Sequence, residues 1–240
     1  LKGEAFDGNA FIDEALSKGA RIAVSDDPAH TGKDPRVIVT EHSLEMLSAL
    51  ARRYRHDLDI PVLALTGSNG KTTTKELIQS VLAKKYKVSA TQGNLNNHIG
   101  VPLTLLRIPA QADFAVIEMG ANHPEEISGL CRVADPEYGL ITNIGKAHLE
   151  GFGGYAGVIR AKSELYTHLR ENMGTVFVNA GDPLLMRLSE GMNRHTYGTG
   201  SILDAEARSQ GFHLVVHWTN GPGSLKETPT QLSGSYNLQN

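Results

Sequence analysis

The chain has 240 residues, of which 40% are hydrophobic and 20% charged, with a formal net charge of −3. This composition indicates a globular protein of one large or two small domains, with no general attraction to nucleic acid or anionic lipid. Cys131 is the only cysteine, which excludes an intrachain disulfide, and no apolar run approaches the ~20 residues needed to span a bilayer. We therefore expect a cytoplasmic protein, and we take a monomer as the default because the sequence leaves the oligomeric state open.

The first sixty residues predict a small α/β unit. Helices are expected at 9–19 and 43–54, and short strands at 21–25 and 36–40. Ser43 is placed to cap the second helix through its hydroxyl. Pro61 marks the boundary, so we predict an N-terminal domain over residues 1–60 and a central domain over residues 61–240.

From Pro61 onward, strand-like and helix-like segments alternate, which is typical of a parallel sheet with crossover helices. Strands are predicted at 62–66, 86–90, 113–118, 138–142, 174–179 and 194–198. Helices are predicted at 71–84, 101–107, 124–134, 154–171 and 182–190. Near the end, 213–218 and 228–232 predict an appended β-hairpin. The fold class is therefore α/β, with a mostly parallel central sheet of P-loop type flanked by helices.

The segment 62–74 predicts a phosphate-binding loop. Four apolar residues lead into Thr66-Gly-Ser-Asn-Gly-Lys-Thr-Thr-Thr74, and a helical pattern follows. Backbone N–H groups at a helix start, a lysine and a threonine hydroxyl are groups that bind nucleotide phosphates and Mg²⁺. Only two residues separate Gly67 from Gly70, and Leu65 stands where the common P-loop has its first glycine. An ordinary P-loop GTPase or kinase is therefore disfavoured, and a surface turn that binds nothing is the alternative.

Three candidate metal ligands follow in the chain. Glu118 ends an apolar strand, where a carboxylate can hold Mg²⁺ directly or through water, although a solvated glutamate is the alternative. His148 lies past the next strand, and it would be an unusual ligand because Mg²⁺ prefers oxygen. Lys162 lies in a predicted helix, where lysines are usually solvated. With a lowered pKa its amine can add CO₂ and become a carbamate, which acts as a carboxylate near a metal.

The polar loop between Gly93 and Pro102 contains three asparagines, including Asn96 and Asn97. Asparagine both donates and accepts hydrogen bonds, so this loop suits a substrate with hydroxyl, amide and carboxylate groups. Turn chemistry alone would explain the same residues.

Five motifs resemble those of the Mur ligases and occur in that family's order. They are Thr66-Gly-Ser-Asn-Gly-Lys-Thr-Thr, Gly93-Asn-Leu-Asn-Asn-His-Ile-Gly-Val-Pro, Glu118-Met-Gly-Ala-Asn-His, Thr142-Asn-Ile-Gly-Lys-Ala-His-Leu-Glu-Gly-Phe-Gly and Gly234-Ser-Tyr-Asn-Leu-Gln-Asn. The first twelve residues resemble the family's N-terminal, UDP-sugar-binding domain, so the resemblance covers essentially the whole chain. It implies three domains, of which the C-terminal one is absent here. Glu125 departs from the pattern, since the family usually has glycine there.

The resemblance implies an ATP-dependent amide ligase of peptidoglycan precursor synthesis. Its substrates would be UDP-N-acetylmuramoyl-tripeptide and D-alanyl-D-alanine, joined through an acyl phosphate. ATP would be bound by Gly67, Ser68, Asn69, Gly70, Lys71, Thr72, Thr73, Asn143, Asn237 and Asn240. Two Mg²⁺ ions would be held by Thr72, Glu118, His148 and carbamylated Lys162, and the muramoyl substrate would lie near Asn96 and Asn97. Lys71, Glu118, His148 and Lys162 would carry catalysis.

Four alternatives remain open at this point. Two are close: a sister Mur ligase that adds another amino acid, and a ligase like folylpolyglutamate synthetase. A P-loop GTPase is more distant, since the chain lacks an Asn/Thr-Lys-x-Asp motif that would read guanine. The last is a binding module for nucleotides without catalytic activity.

Overall fold

The computed structural model describes most of the chain, in the ranges 1–3, 6–146, 149–198, 205–210, 213–219 and 225–232. Helices and parallel strands alternate through most of these ranges, which confirms the predicted α/β class. None of the helices described there is long and apolar enough to cross a bilayer.

The first sixty residues form helices and short strands, the two kinds of element that the sequence predicts there. The elements are a 3-10 turn (Gly8–Phe11), α1 (Ile12–Ser17), β1 (Ala23–Ser25), a second 3-10 turn (Pro28–His30), β2 (Val37–Val39) and α2 (Ser43–Leu58). The two strands pair in parallel. The capping role predicted for Ser43 is wrong, because His42 precedes the first turn and the Ser43 hydroxyl donates to Asp26 instead. That hydrogen bond is the main reason that the pKa of Asp26 falls to about 2.

A six-stranded parallel sheet forms the centre of the molecule. Its strands are β3 (Val62–Thr66), β4 (Val88–Ala90), β5 (Phe114–Glu118), β6 (Tyr138–Ile141), β7 (Thr175–Asn179) and β8 (Asn193–Tyr197), in the spatial order β4-β5-β3-β6-β7-β8. The helices between and after them are α3 (Lys71–Leu82), α4 (Gly100–Leu106), α5 (Glu126–Ala134), α6 (Leu149–Phe152), α7 (Tyr155–Glu171) and α8 (Pro183–Leu188). All six predicted strands and all five predicted helices are confirmed, and α6 is an addition.

The central strand β3 is buried on both faces. Val62 and Ala64 join the larger hydrophobic cluster, which also contains residues of α4, α5 and α7. Leu63 and Leu65 belong to a second cluster, against which Ile78 of α3 packs. Both faces of a parallel sheet are covered by its crossover helices, which explains why this strand is an unbroken apolar run in the sequence.

The start of α5 differs from the prediction by two residues. Glu125 has a φ of 68°, in the left-handed region that glycine adopts most readily, and α5 begins only at Glu126. The backbone N–H of Glu125 donates to the Glu164 carboxylate on α7. A position where the Mur ligase pattern has glycine is therefore occupied by a strained glutamate that is held by a tertiary hydrogen bond.

Helix α2 lies before the predicted domain boundary but is fastened to the central sheet. The buried guanidinium of Arg55 donates to the carbonyl oxygens of Ala134 and Asp135 and to the Glu137 carboxylate. The other carboxylate oxygen of Glu137 accepts from the backbone N–H of Val62, the first residue of β3. One buried arginine thus joins α2, the end of α5 and the start of the central strand.

The last described residues form a separate antiparallel sheet of three strands. They are β9 (Ala205–Gln210), β10 (His213–Thr219) and β11 (Leu225–Pro229), with β10 in the middle. The pairing of β10 with β11 confirms the predicted hairpin, whereas β9 was not predicted. The residues between β10 and β11, 220–224, lie outside the described residues.

Candidate active site

Three adjacent strands direct polar residues to one edge of the central sheet. Glu118 is the last residue of β5, Thr66 the last of β3, and Thr142 follows β6 directly. Because parallel strands all end at the same edge, the loops after them meet there. The order of the strands also reverses beside β3, and ligands of open α/β sheets bind in the crevice beyond such a point.

The loop after β3 requires glycine at both ends. Gly67 has a φ of 150°, and a Cβ atom there would lie 2.0 Å from the Thr142 hydroxyl oxygen. Gly70 has a φ of 76° and immediately precedes α3, so it takes a left-handed conformation at the helix start. The tight turn that the sequence predicts is therefore present, and it packs directly against the segment after β6.

Hydrogen bonds fasten this loop to the residues that follow β6. The N–H groups of Ser68 and Asn69 donate to the backbone and side-chain oxygens of Asn143, at 3.0 and 3.1 Å. In return, the Asn143 amide donates to the Asn69 carbonyl at 3.0 Å, and the Thr142 hydroxyl donates to the same oxygen at 2.6 Å. Ser68, Asn69 and Asn143 thus hold the shape of the loop, and the N–H groups of the first turn of α3 remain for an anion.

Replacing Gly67 should therefore destroy the loop while leaving the sheet intact. In Gly67→Ala the new methyl group would collide with Thr142, so we expect loss of nucleotide binding with a much smaller loss of stability. Calorimetric titration with ADP and Mg²⁺ measures the first effect, and urea unfolding measures the second. Gly32→Ala is a matched control, because Gly32 also has a positive φ but a Cβ atom added there would meet nothing within 4 Å. Equal ADP affinity in both variants would contradict the expected role of the loop.

Lys71 and Thr72 are the first two residues of α3. The Lys71 ammonium donates to the carbonyl oxygen of Gly67 at 2.9 Å and so curls over the loop. Burial lowers the pKa of Lys71, and the nearby Glu118 carboxylate partly offsets this effect. The Thr72 hydroxyl donates to Glu118 at 3.0 Å, and Thr73 lies in the same helical turn. Three of the predicted phosphate and metal groups thus meet in one place.

The Glu118 carboxylate is buried, with 2% of the residue exposed, and both of its oxygens accept hydrogen bonds. One binds the Thr72 hydroxyl, and the other binds the Asn96 amide at 2.8 Å. Among the residues that the structure describes, no group of three or more His, Cys, Asp or Glu side chains is placed to hold a metal. Glu118 and Thr72 nonetheless suit Mg²⁺, which takes few oxygen ligands from protein and completes its shell with phosphate and water.

The two asparagines predicted to contact substrate have different surroundings. The Asn96 side-chain amide donates to Glu118, and the backbone carbonyl oxygen of Asn96 accepts from the Gly120 N–H at 2.8 Å. The Asn97 side-chain oxygen accepts from the N–H groups of Ile99 and Gly100, where α4 begins. Asn97 therefore shapes the loop through its oxygen, and Asn96 is joined to the metal-ligand candidate.

Lys162 on α7 reaches the same site. It lines a cleft of about 330 Å³ whose walls also include Gly67, Ser68, Lys71, Asn96 and Asn97. Only 3% of Lys162 is exposed, and its ammonium lies 3.5 Å from the Ala121 carbonyl oxygen and 5.7 Å from the centre of the Phe152 ring. Burial, followed by repulsion from the Lys71 charge, lowers the pKa of Lys162 to about 8.

Three predicted site residues, His148, Asn237 and Asn240, lie outside the described residues. Their assignments stay predictions. The structure also brings in residues that sequence reasoning missed, namely Thr142 against Gly67 and Thr91 against the Glu118 backbone. Thr142 opens one of the five motifs and could have been found there, whereas Thr91 follows a short strand without any distinguishing pattern.

A larger groove of about 720 Å³ adjoins the cleft and shares Asn97, His98, Gly120 and Glu126 with it. Helices α2, α4 and α5 form its walls. Basic side chains line it: Arg52, Arg53, His56, His98 and Arg132. The cleft thus continues into a larger groove that carries several basic side chains.

Comparison with known proteins identifies the family. The family described as the Mur ligase middle domain matches residues 65–240. The UDP-N-acetylmuramoyl-tripeptide–D-alanyl-D-alanine ligases of Bacillus subtilis and Escherichia coli are each 37% identical to this chain, over 90% and 100% of its length. These alignments cover 48% and 54% of those two proteins, so the chain spans about half the length of the curated relatives it matches.

Solved structures agree in fold along almost the whole chain. A crystal structure of MurF from Acinetobacter baumannii has a TM-score of 0.87 at 33% identity and covers 100% of this chain and 53% of its own. MurF from Thermotoga maritima in complex with ADP has a TM-score of 0.82 at 32% identity, covering 95% of this chain and 53% of its own. Because the middle-domain match covers residues 65–240 and two relatives are 37% identical over 90% or more of the chain, the chain belongs to the Mur ligase family.

Proposed function

We propose that the full-length protein is an ATP-dependent ligase that joins D-alanyl-D-alanine to UDP-N-acetylmuramoyl-tripeptide. The observation that carries this proposal is the identity of 37% to two ligases of that name across 90% or more of the chain. The convergence of Lys71, Thr72 and Glu118 at one sheet edge supports it chemically. The relative from Thermotoga maritima, solved with ADP, supports the adenine nucleotide.

The chemistry requires activation of a carboxylate, because a free carboxylate is a poor acyl donor. In the proposed reaction a carboxylate oxygen of the tripeptide attacks the γ-phosphorus of ATP, and ADP leaves. The amine of D-alanyl-D-alanine then attacks the acyl carbon, the bond to phosphate breaks, and the amine releases a proton. Lys71 and the N–H groups at the start of α3 would bind the phosphates and align them for transfer.

The described residues fit a magnesium ion at Glu118. Mg²⁺, when bound, would neutralise phosphate charge that the protein must otherwise balance alone. Glu118 and Thr72 would hold one ion, and His148 together with a carbamylated Lys162 would help to hold a second. Asn237 and Asn240 would lie near the nucleotide, with Gly67, Gly70 and Thr73 forming the rest of its phosphate site.

Carbamylation of Lys162 is favoured by its surroundings. Its ammonium lies in the same cleft as that of Lys71, and burial, followed by repulsion from the Lys71 charge, lowers the pKa of Lys162 to about 8. A lowered pKa increases the fraction of neutral amine, whose nitrogen can attack CO₂ and lose one proton to give an anionic carbamate. The modification would turn the repulsion between these two lysines into attraction.

This proposal predicts that activity depends on CO₂ and that the dependence changes with pH. Removing CO₂ should lower the rate of ligation, and adding bicarbonate should restore it. The neutral amine of Lys162 becomes more abundant as the pH rises towards 8, so the activity should be restored faster at higher pH within that range. Lys162→Met should abolish ligation, whereas Lys162→Glu should retain part of it because it keeps a carboxylate. Intact-mass measurement should show one added CO₂ in the unaltered protein alone. Full activity of Lys162→Met would contradict the proposal.

The substrate carries phosphate and carboxylate groups, and the groove beside the cleft offers matching charge. Arg52 and Arg132 lie on its two sides, and it opens into the cleft at Asn97. We assign the muramoyl-peptide part of the substrate to this groove and to Asn96 and Asn97. Residues 1–60 would bind the UDP-sugar end and residues 61–240 the nucleotide. We place the protein in the cytoplasm as a monomer.

A phosphate-release assay with the full-length protein tests the function. With UDP-N-acetylmuramoyl-tripeptide and ATP present, the protein should release phosphate when D-alanyl-D-alanine is added. It should release none when a single amino acid, including glutamate, is added instead. Turnover with a single amino acid would identify a sister Mur ligase, and turnover of a folate with glutamate would identify a folylpolyglutamate synthetase. Preference for GTP would restore the GTPase alternative, and substrate binding without any turnover would indicate a binding module.

A further inference from the structure

Lys75 is a buried charged residue that the proposed chemistry does not use. It lies on α3, one turn after Lys71, and only 1% of it is exposed. Its ammonium donates to the carbonyl oxygen of Thr91 at 2.6 Å and lies 2.8 Å from the Glu76 carboxylate. Because burying an ammonium is costly, a lysine at such a position indicates that its hydrogen bonds have a specific role.

Thr91 connects this lysine to Glu118. Thr91 is itself 1% exposed, and it follows β4 directly. Its N–H donates to Val116 at 3.0 Å, which extends the pairing of β4 with β5, and its hydroxyl accepts from the Glu118 N–H at 2.9 Å. The Thr91 hydroxyl thus binds the backbone of the residue whose carboxylate faces the site.

The loop that begins at Thr91 continues to Asn96. The Asn96 side-chain amide donates to the Glu118 carboxylate oxygen that does not bind Thr72. Lys75 therefore anchors the base of the loop that positions Asn96. On α3, Thr72 and Lys75 are three residues apart and lie on one face of the helix. Thr72 binds the Glu118 side chain while Lys75 holds its backbone partner, so α3 braces Glu118 at two points.

We propose that Lys75 is a positioning residue that sets the geometry of Glu118 and Asn96, and through them the affinity for Mg²⁺ with bound nucleotide. The inference rests on the nucleotide site proposed above. Groups that orient metal ligands from behind change metal affinity by about 10- to 100-fold when they are replaced. Lys75 would act in this way without contacting the metal or the nucleotide.

The test compares ADP binding with and without Mg²⁺ in the full-length protein, measured by calorimetric titration. Lys75→Met should weaken ADP binding about tenfold in the presence of Mg²⁺ and leave it within twofold in its absence. Thr91→Val, which removes only the hydroxyl, should change Mg²⁺-dependent binding in the same direction. Leu82→Ala is the matched control, since Leu82 is on the same helix and packs against the core away from the cleft. It should lower stability and leave both affinities unchanged.

Each outcome decides between the two proposals. If Lys75→Met and Thr91→Val bind ADP with unaltered Mg²⁺ dependence, the positioning role is wrong, whatever happens to stability. If Lys75→Met does not fold, Thr91→Val alone decides the question. Normal Mg²⁺-dependent binding of ADP by a protein that does not ligate would overturn the proposed function but not this inference. Absence of any effect of Mg²⁺ on ADP binding by the unaltered protein would overturn the inference.

Discussion

We expect Lys71→Ala in the full-length protein to abolish the proposed ATP-dependent ligation, with kcat/KM falling on the order of a thousandfold. The Lys71 ammonium lies over the phosphate loop, 2.9 Å from the Gly67 carbonyl oxygen, and within electrostatic reach of Glu118. Alanine removes the charge that would offset the terminal phosphates during transfer. Helix and loop geometry should persist, because Gly67 and Asn143 rather than Lys71 hold the shape of the loop.

Phosphate release measured with both substrates tests this prediction, together with urea unfolding to show that the variant is folded. Lys84→Ala provides the matched control, since Lys84 is an exposed lysine just after the end of the same helix. Its kcat/KM should stay within twofold of the unaltered protein. Near-normal turnover of Lys71→Ala would remove the phosphate role from this residue.

Arg55→Ala should have the largest effect on stability, with the free energy of unfolding falling by about 3 kcal/mol. The buried guanidinium binds two backbone carbonyl oxygens and the Glu137 carboxylate, and Glu137 in turn accepts from Val62 at the start of β3. Removing Arg55 leaves buried acceptors without a donor. Because the Glu137 side chain is 51% exposed, solvent screens part of the ion pair, and most of the loss comes from the carbonyl oxygens.

Arg53 offers a control on the same helix. Its side chain is 79% exposed and pairs with Asp57 one turn away, an arrangement that contributes about 0.5 kcal/mol or less. Urea unfolding of both variants under the same conditions compares them directly. A loss for Arg55→Ala no larger than that for Arg53→Ala would show that α2 is held by its apolar contacts alone.

The order and type of the central elements were determined by local sequence. The strand β3 is an apolar run because both its faces are buried, and the glycines that follow it are required by positive φ angles at Gly67 and Gly70. Glu118 could be placed at a strand end because it ends the apolar run that predicts β5. Such features depend on periodicity and on the conformational range of single residues, both of which are visible in a short stretch of chain.

The tertiary structure alone decided which of these residues act together and what each one contacts. Asn143 holds the phosphate loop from 74 residues away, and Arg55 reaches Glu137 across 82. In the sequence Lys75 resembles any other helix lysine, and only the fold places its ammonium against the Thr91 carbonyl oxygen. Local patterns carry no information about such contacts, because a hydrogen bond between distant segments depends on how the whole sheet and its helices pack. The sequence by itself determined the strand, the turn and the acidic strand end, and the packing decided which side chains brace them.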